Sequence, residues 1–387
     1  MLYEIHMIKN YPPTNLNRDD SGSPKSCTFG GIRRGRISSQ CIKRSWRKSN
    51  LYGELLGEQC GIRTRKLPNL IADVLLSRGV NEEAVNAIKE KVAWAATNEW
   101  KDPDKKKSES KKGKTKNITE QIIFYSPEEI IAIANLMHSK YENAGSTKKF
   151  EELKISVFAK ELEPAKIKPI TLDMALFGRM VTSNAFRDVE AAMQVAHAIS
   201  THAVNQESDY FTAVDDLVNA AGSDDSGAGM IGDVDFNSNC YYHYASIDIN
   251  QLAENLKYSP NKDELISALI PAIIKLMAFI NPSGKQNSFA GNVLPSLMIV
   301  EVKGVNIPVS YVNAFAKPAR SNYSKDLIAD SVEKLVCEID KTDNSFGITS
   351  KRFVFAPGVK ADMPQKGEVA ETIDSFTSMI TAAMQHE

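Results

Sequence analysis

Residues 17–48 read NRDDSGSPKSCTFGGIRRGRISSQCIKRSWRK, and this stretch concentrates the chemistry of a chain of 387 residues. After Asp20 no acidic residue occurs until Glu54, while Lys25, Arg33, Arg34, Arg36, Lys43, Arg44, Arg47 and Lys48 all fall between them. Like charges packed this densely without carboxylate partners repel one another, a cost that folding does not require. The natural partner is a polyanion.

The second half of the stretch predicts a helix with Ser38 or Ser39 as N-cap. At about 100° per residue, Arg47, Gln40, Arg44 and Lys48 follow Lys43 around one side, and Ile42 and Trp46 fall on the other. One face is expected to be buried and the opposite one cationic, with Gln40 adding a hydrogen-bonding group. The helix start follows Gly30-Gly31 and the Arg33, Arg34, Arg36 cluster, so its free N–H groups are placed to receive a phosphate.

The order and spacing of several blocks carry a resemblance: LNRDD (16–20), a polar spacer with Lys25, FGG (29–31), RISSQ (36–40) and KRSWRK (43–48). Together they resemble the N-terminal signature of the CasC-type backbone subunit of the type I-E CRISPR Cascade complex, the Cas-seven family, also called Cse-four. GRM at 178–180 and the AHAI-S-T-H block at 196–202 fit the same pattern, as does G-x-K-Q around Lys285. The resemblance implies an α+β fold: a ferredoxin-like (RRM-like) palm with a helical finger insertion and a β-hairpin thumb. Its parts are expected at 1–55 (palm), 56–168 (finger), 169–204 (palm), 205–237 (thumb) and 238–387 (palm).

It also implies a non-catalytic subunit that polymerises along a guide crRNA in about six copies. Target DNA would be met through the guide, beside subunits of the small, large, cap and crRNA-processing types. The residues expected to hold RNA are Asn17, Arg18, Lys25, Arg33, Arg34, Arg36, Ser38, Ser39, Gln40, Lys43, Arg44, Arg47, Lys48, Met180 and Lys285. Among these, Lys25, Lys43, Arg44 and Arg47 are expected on phosphates, with Ser38 and Gln40 on the backbone or ribose. The resemblance places Met180 where the base ladder is interrupted. Lys285 could contact phosphate or tie its loop to a neighbouring subunit.

Composition sets the remaining limits. Hydrophobic content of 42% and charged content of 25% describe an ordinary globular protein, and the net charge of −1 hides the local asymmetry. Five cysteines without a C-x-x-C pair argue against a disulfide framework or a zinc knuckle. A reducing cytoplasm fits this usage, and neither a signal peptide nor a membrane span is legible. No metal or other cofactor is expected.

Along the chain, 2–8 reads as a strand with one mixed face. Helical spacing covers 68–78, 82–94, 127–138 and 151–160. Between them, DPDKKKSESKKGKTK reads as a solvated loop whose lysines could touch nucleic acid. TLDMALFGRMVTS at 171–183 and the stretch 193–202 alternate like strands. The glycine-rich segment near 222–232 suits a pliable hairpin. Later strands are expected at 240–249, 297–302, 307–311 and 352–356, and helices at 262–279, 325–339 and 368–385.

Catalysis is the rival reading. His197 and His202 are spaced to lie apart on a strand or a helix, so they make no metal pair, and no H-E-x-x-H, G-x-S-x-G or Walker sequence occurs. Asp19 and Asp20 could position a metal or a base beside bound RNA, making a backbone-type endoribonuclease, although adjacent carboxylates more often build a loop. A stand-alone single-strand RNA-binding protein is the third reading. Tyr241, Tyr242 and Tyr244 could stack bases, but without an RNP1 pattern core packing is favoured.

Overall fold

The computed structural model describes residues 1–57, 60–97, 119, 122–162, 170–181, 186–213, 230–359, 362–365 and 367–385. The lysine-rich tract at 101–116 and Gly222, Gly227 and Gly229 lie outside them. Two compact units share the chain: the first holds 1–57, 193–249 and 265–387, the second 58–192 and 250–264. Residues 170–192 and 250–264, expected with the palm, cluster with the second unit.

The first unit is built on a nine-stranded, mostly antiparallel sheet. Its central strand is β1 (Leu2–Asn10), which has no solvent face. Leu2, Tyr3, Ile5, Met7 and Ile8 are buried, and so are Glu4, His6 and Lys9. The expected mixed face is therefore a covered one. The further strands are β2 (Ser26–Phe29), β3 (Ile32–Ile37), β6 (Met193–Val195), β7 (Ala198–Ser200), β10 (Cys240–Asp248), β11 (Leu297–Lys303), β12 (Lys351–Phe355) and β13 (Gly367–Ala370), while β4 (Ile62–Thr64), β5 (Ile123–Tyr125), β8 (Gln206–Ala213) and β9 (Met230–Asn237) lie outside this sheet. The order runs β13-β12-β11-β1-β10-β7-β3-β2, with β6 also on β10. One face packs Ile8, Tyr242, Tyr244, Leu297, Ile299 and Val354 against Val332, Leu335 and Ile339 of the helix Leu327–Phe346.

That face also buries charge. Glu4 accepts from Tyr244 Oη at 2.5 Å and from the Val309 N–H at 2.6 Å, and pairs with Lys303. Glu301 accepts from Arg352 Nε at 2.7 Å and Tyr311 Oη at 2.9 Å. Such groups are tolerated in a core only because each one is paired. Tyr241, Tyr242 and Tyr244 are all buried, so they form core and no stacking platform.

An antiparallel ribbon of β8 (Gln206–Ala213) and β9 (Met230–Asn237) also belongs to this unit, in register from Gln206↔Asn237 to Ala213↔Met230. The expected strand at 193–202 is split around His197, leaving β6 and β7. Residues 307–311 form no strand; a 3-10 turn, Tyr311–Phe315, follows instead. The segment expected as one helix at 368–385 divides into β13, parallel to β12, and the helix Ile373–Gln385.

Arg34 departs most from its expected role. It is fully buried, and its guanidinium donates to the carbonyls of Thr201 (3.0 Å), Ser200 (3.3 Å) and Phe315 (2.7 Å). A side chain so enclosed is a structural clamp, not a phosphate ligand. It reinforces a ladder in which β3 meets β7 at only Arg36↔Ile199 and Ile37↔Ala198.

The second unit is mainly helical. Its helices Leu67–Ser77, Glu82–Thr97, Pro127–Ala144 and Ile155–Glu161 bury Ile71, Ile88, Val92, Ile133, Met137, Phe150 and Phe158. The helix expected at 151–160 is two, Thr147–Glu152 and Ile155–Glu161, broken where Leu153 and Lys154 are extended. A small ribbon pairs β4 (Ile62–Thr64) with β5 (Ile123–Tyr125). TLDMALF is a short helix, Leu172–Phe177, rather than a strand. Five of its six residues are buried, which erases the one-sided pattern that marks a helix.

Two expectations follow. Burial holds His6 down to about 4 and His243 down to about 3, so both stay neutral in the folded protein while the unfolded chain protonates them below about 6.5. The unfolded state then binds more protons, and stability falls with acid, by about 1.4 kcal/mol per pH unit for each histidine between roughly pH 6.5 and 4. Urea midpoints at pH 7 and pH 5 measure this, and equal midpoints contradict it. Arg34→Ala should cost about 3 kcal/mol or more by stranding buried carbonyls. Arg33→Ala, at an exposed position, should stay within about 0.5 kcal/mol.

Candidate nucleic-acid interface

The cationic stretch is held in the first unit by its own loop chemistry. β2 and β3 form a hairpin closed by Gly30 (φ 60°) and Gly31 (φ 75°), a turn that needs positive φ at both positions. Gly30 has a second reason to lack a side chain, since a Cβ there would lie 2.4 Å from the Ala316 carbonyl oxygen. The hairpin tip is thus packed on the segment that follows the 3-10 turn.

After β3 the chain enters the helix α1 (Ser39–Arg47). Ser38 is its N-cap, with Oγ accepting from the Cys41 N–H at 3.4 Å. Ser38 and Ser39 are buried; the Ser38 hydroxyl serves the helix as its cap, which leaves it little surface for the expected RNA backbone or ribose contact. The Ser38 N–H donates to Asn17 Oδ1 at 2.8 Å, so Asn17 pins the loop 17–25 to the helix start. Ile42 and Trp46 are buried, Gln40, Arg44 and Lys48 are exposed, and Lys43 and Arg47 are half-buried. The helix is therefore two-sided.

The loop 17–25 is equally determined. The Lys25 N–H donates to the Asn17 carbonyl at 2.8 Å, and the Lys25 carbonyl accepts from the Arg36 N–H at 2.9 Å. Asp19 Oδ1 accepts from Ser21 N–H (3.0 Å), Ser21 Oγ (2.7 Å) and Ser23 N–H (3.0 Å). These bonds, that to the Ser21 hydroxyl foremost, hold its carboxyl below the usual range. Asp19 is a loop builder. Arg18 and Asp20 are exposed beside it. Ser23 Oγ donates to Asp235 at 2.5 Å and Gln206 Nε2 to the same carboxylate at 2.8 Å, which joins the loop to the root of the β8–β9 ribbon.

Sequence reasoning set His197 aside, yet the structure places it in the cluster. Arg36 Nη1 lies 3.1 Å from His197 Nδ1, and the arginine can only donate, so the ring accepts there and its proton sits on Nε2. Burial, then Arg36, Lys25 and Lys43, push its pKa down. Arg36 from the strand touches the ring, while Lys25 from the loop and Lys43 from the helix act on it electrostatically. No spacing in the sequence signals this, because His197 arrives through the pairing of β7 with β3. His202 has separate partners, with Nε2 accepting from the Cys240 N–H at 3.2 Å.

Lys285 stands on strained backbone in the same unit, at φ 51°, and Ala290 at φ 47° closes the one-turn helix Gln286–Phe289 that it opens. Such left-handed conformations cost on the order of 1 kcal/mol or more for residues with a side chain. Gly284 lets this loop approach the 15–16 backbone, where a Cβ would sit 2.3 Å from the Leu16 carbonyl oxygen. Lys285 is therefore carried at the root of the loop that presents Lys25.

Met180 belongs to the second unit. It is 91% exposed, next to Arg179, which is buried and donates to Glu129 Oε2 at 2.7 Å and to the Phe124 carbonyl at 2.9 Å. Glu129 also closes the capping box of Pro127–Ala144 with Ser126. A long apolar side chain is thus displayed on a firmly anchored base. Among the described residues, no group of three or more His, Cys, Asp or Glu is arranged to hold a metal ion, and no helix is long and apolar enough to cross a membrane.

The CT1975-like protein family matches residues 3–382, and no curated protein matches the chain. Solved structures share its fold along nearly the whole length, two of them from CRISPR RNA-guided surveillance complexes. A chain from a structure titled "CRISPR RNA-guided surveillance complex, pre-nicking" is similar with a TM-score of 0.83 and 25% identity, covering 99% of this chain and 100% of that one. A chain from a "CRISPR RNA-guided surveillance complex" is similar with a TM-score of 0.72 and 21% identity, at 99% and 100% coverage. The chain belongs to the CT1975-like protein family.

Proposed function

We propose that this chain is a non-catalytic backbone subunit of a type I-E CRISPR surveillance complex, polymerising along guide crRNA and presenting it in short segments to target DNA. The observation that carries this reading is that the loop holding Lys25 is bonded to Arg36, which reaches His197, beside a helix with an exposed cationic side, in a stretch whose residues 21–53 contain no carboxylate. Positive charge concentrated in this way favours phosphate. The likeness to chains of RNA-guided surveillance complexes supports the guide as the polyanion.

In this reading the first unit serves as a ferredoxin-like palm, the helical unit as the finger and the β8–β9 ribbon as the thumb. Lys25, Lys43, Arg44 and Arg47 hold phosphates, Gln40 adds a hydrogen bond, and Arg33, Arg36, Lys48 and Lys285 complete the field. These contacts position the strand without reading bases, and sequence choice is left to pairing between guide and target. Met180, by the resemblance, would interrupt a base step. About six such copies, cytoplasmic and joined by small, large, cap and crRNA-processing subunits, would bind by avidity.

The test is a double charge reversal, Lys43→Glu with Arg44→Glu. Guide RNA should no longer copurify, and affinity for single-stranded RNA should fall by about two orders of magnitude or more, while thermal unfolding is unchanged. Normal RNA content in the folded variant contradicts the assignment. The same assembly, given guide-complementary RNA and Mg²⁺, should leave that RNA intact. Cleavage lost in Asp20→Ala would instead make the protein an endoribonuclease.

A further inference from the structure

A second surface lies beside the cationic hairpin, on the loop 316–325 of the first unit. The loop is joined to the hairpin by the Ala316 carbonyl beneath Gly30 and by Arg34 on the Phe315 carbonyl. Ala319, nearly fully buried, donates its N–H to the Thr201 carbonyl at 2.9 Å. From there the chain emerges into solvent.

At its tip, Tyr323 is 114% exposed relative to its reference. A lone exposed tyrosine is ordinary, but this one stands on a wired turn. The Asn322 N–H donates to the Lys325 carbonyl at 2.8 Å, and Asn322 Oδ1 accepts from the Ser324 N–H, Ser324 Oγ and the Lys325 N–H, each at 2.9 Å. This Asx turn fixes the backbone around a ring that packs against nothing. The backbone of the turn is ordered in advance, which lowers the cost of a ligand meeting that ring.

The charges around it are sorted. Asp326 caps the helix Leu327–Phe346 through the Ala329 N–H at 2.7 Å, Asp330 accepts from the Arg320 N–H at 3.0 Å, and Glu333 pairs with Lys325. The acids are engaged. Lys317 and Arg320 are exposed, and their cationic groups meet no carboxylate among the described residues. What the loop offers is an aromatic face with two unpaired cations, continuous with the basic hairpin.

We propose that this turn is a second contact for single-stranded RNA: a base stacks on Tyr323 while Lys317 and Arg320 hold flanking phosphates. Stacking suits a ring presented on both faces and needs no particular base. The proposal rests on the reading above that RNA occupies the cationic stretch, and it extends the path of the strand past the hairpin tip.

The experiment uses the full chain and a single-stranded oligouridylate. Tyr323→Ala should weaken binding by about 5- to 150-fold, Tyr323→Phe should stay within about twofold, and photocrosslinking should label the peptide holding Tyr323. Lys317→Ser with Arg320→Ser should weaken binding and flatten its salt dependence. Unchanged affinity in Tyr323→Ala, with binding still lost in Lys43→Glu/Arg44→Glu, overturns this proposal and leaves the cationic stretch standing. If the charge reversal also has no effect, the RNA reading itself fails. Fewer protomers per RNA at unchanged affinity per protomer overturns the proposal in favour of a contact with another copy.

Discussion

The cationic surface depends on one buried guanidinium. Arg34 lies in a run of like charges and yet is held by carbonyl oxygens of Ser200, Thr201 and Phe315 rather than by a carboxylate. Peptide carbonyls take up the donors of its two terminal nitrogens without cancelling its neighbours' charge. An acid placed there would have anchored the strand equally well and weakened the field outside. The clamp fixes β3 against β7 and against the turn Tyr311–Phe315, and the other cations are arranged from that frame.

Each arrangement follows by short steps. Asn17 bonds the Ser38 N–H, so the loop and the start of α1 move together. Lys25 is tied to Asn17 on one side and to Arg36 on the other. Arg36 reaches His197, whose ring accepts there and keeps its own proton on Nε2. A set of positive groups brought together before any ligand arrives is preorganised, and the repulsion within it is relieved when an anion binds.

Much of this was legible in the sequence, for physical reasons that differ by element. α1 announces itself because one period dominates: Ser38 precedes the run, and Ile42 and Trp46 share a side, while the central strand, buried on both faces, is legible from its aliphatic and aromatic residues. The short helix Leu172–Phe177 was hidden because burial on nearly all sides leaves no polar stripe. Arg34 was indistinguishable from Arg33 or Arg36, since its partners are 166 to 281 residues away. His197 was set aside for the same reason: its neighbours come from sheet pairing, which local spacing does not encode. Asp19 was weighed as loop structure, and its three hydrogen bonds are the expected use of such a carboxylate.

The central claim is that one chain supplies one rung of a repeated RNA-holding surface. Its most direct test is to extract nucleic acid from the purified native assembly and measure its length together with the number of protomers by native mass. The account predicts RNA of uniform length, with protomers bound at a constant number of nucleotides each. Protein free of nucleic acid, or a single protomer on RNA of arbitrary length, would contradict it.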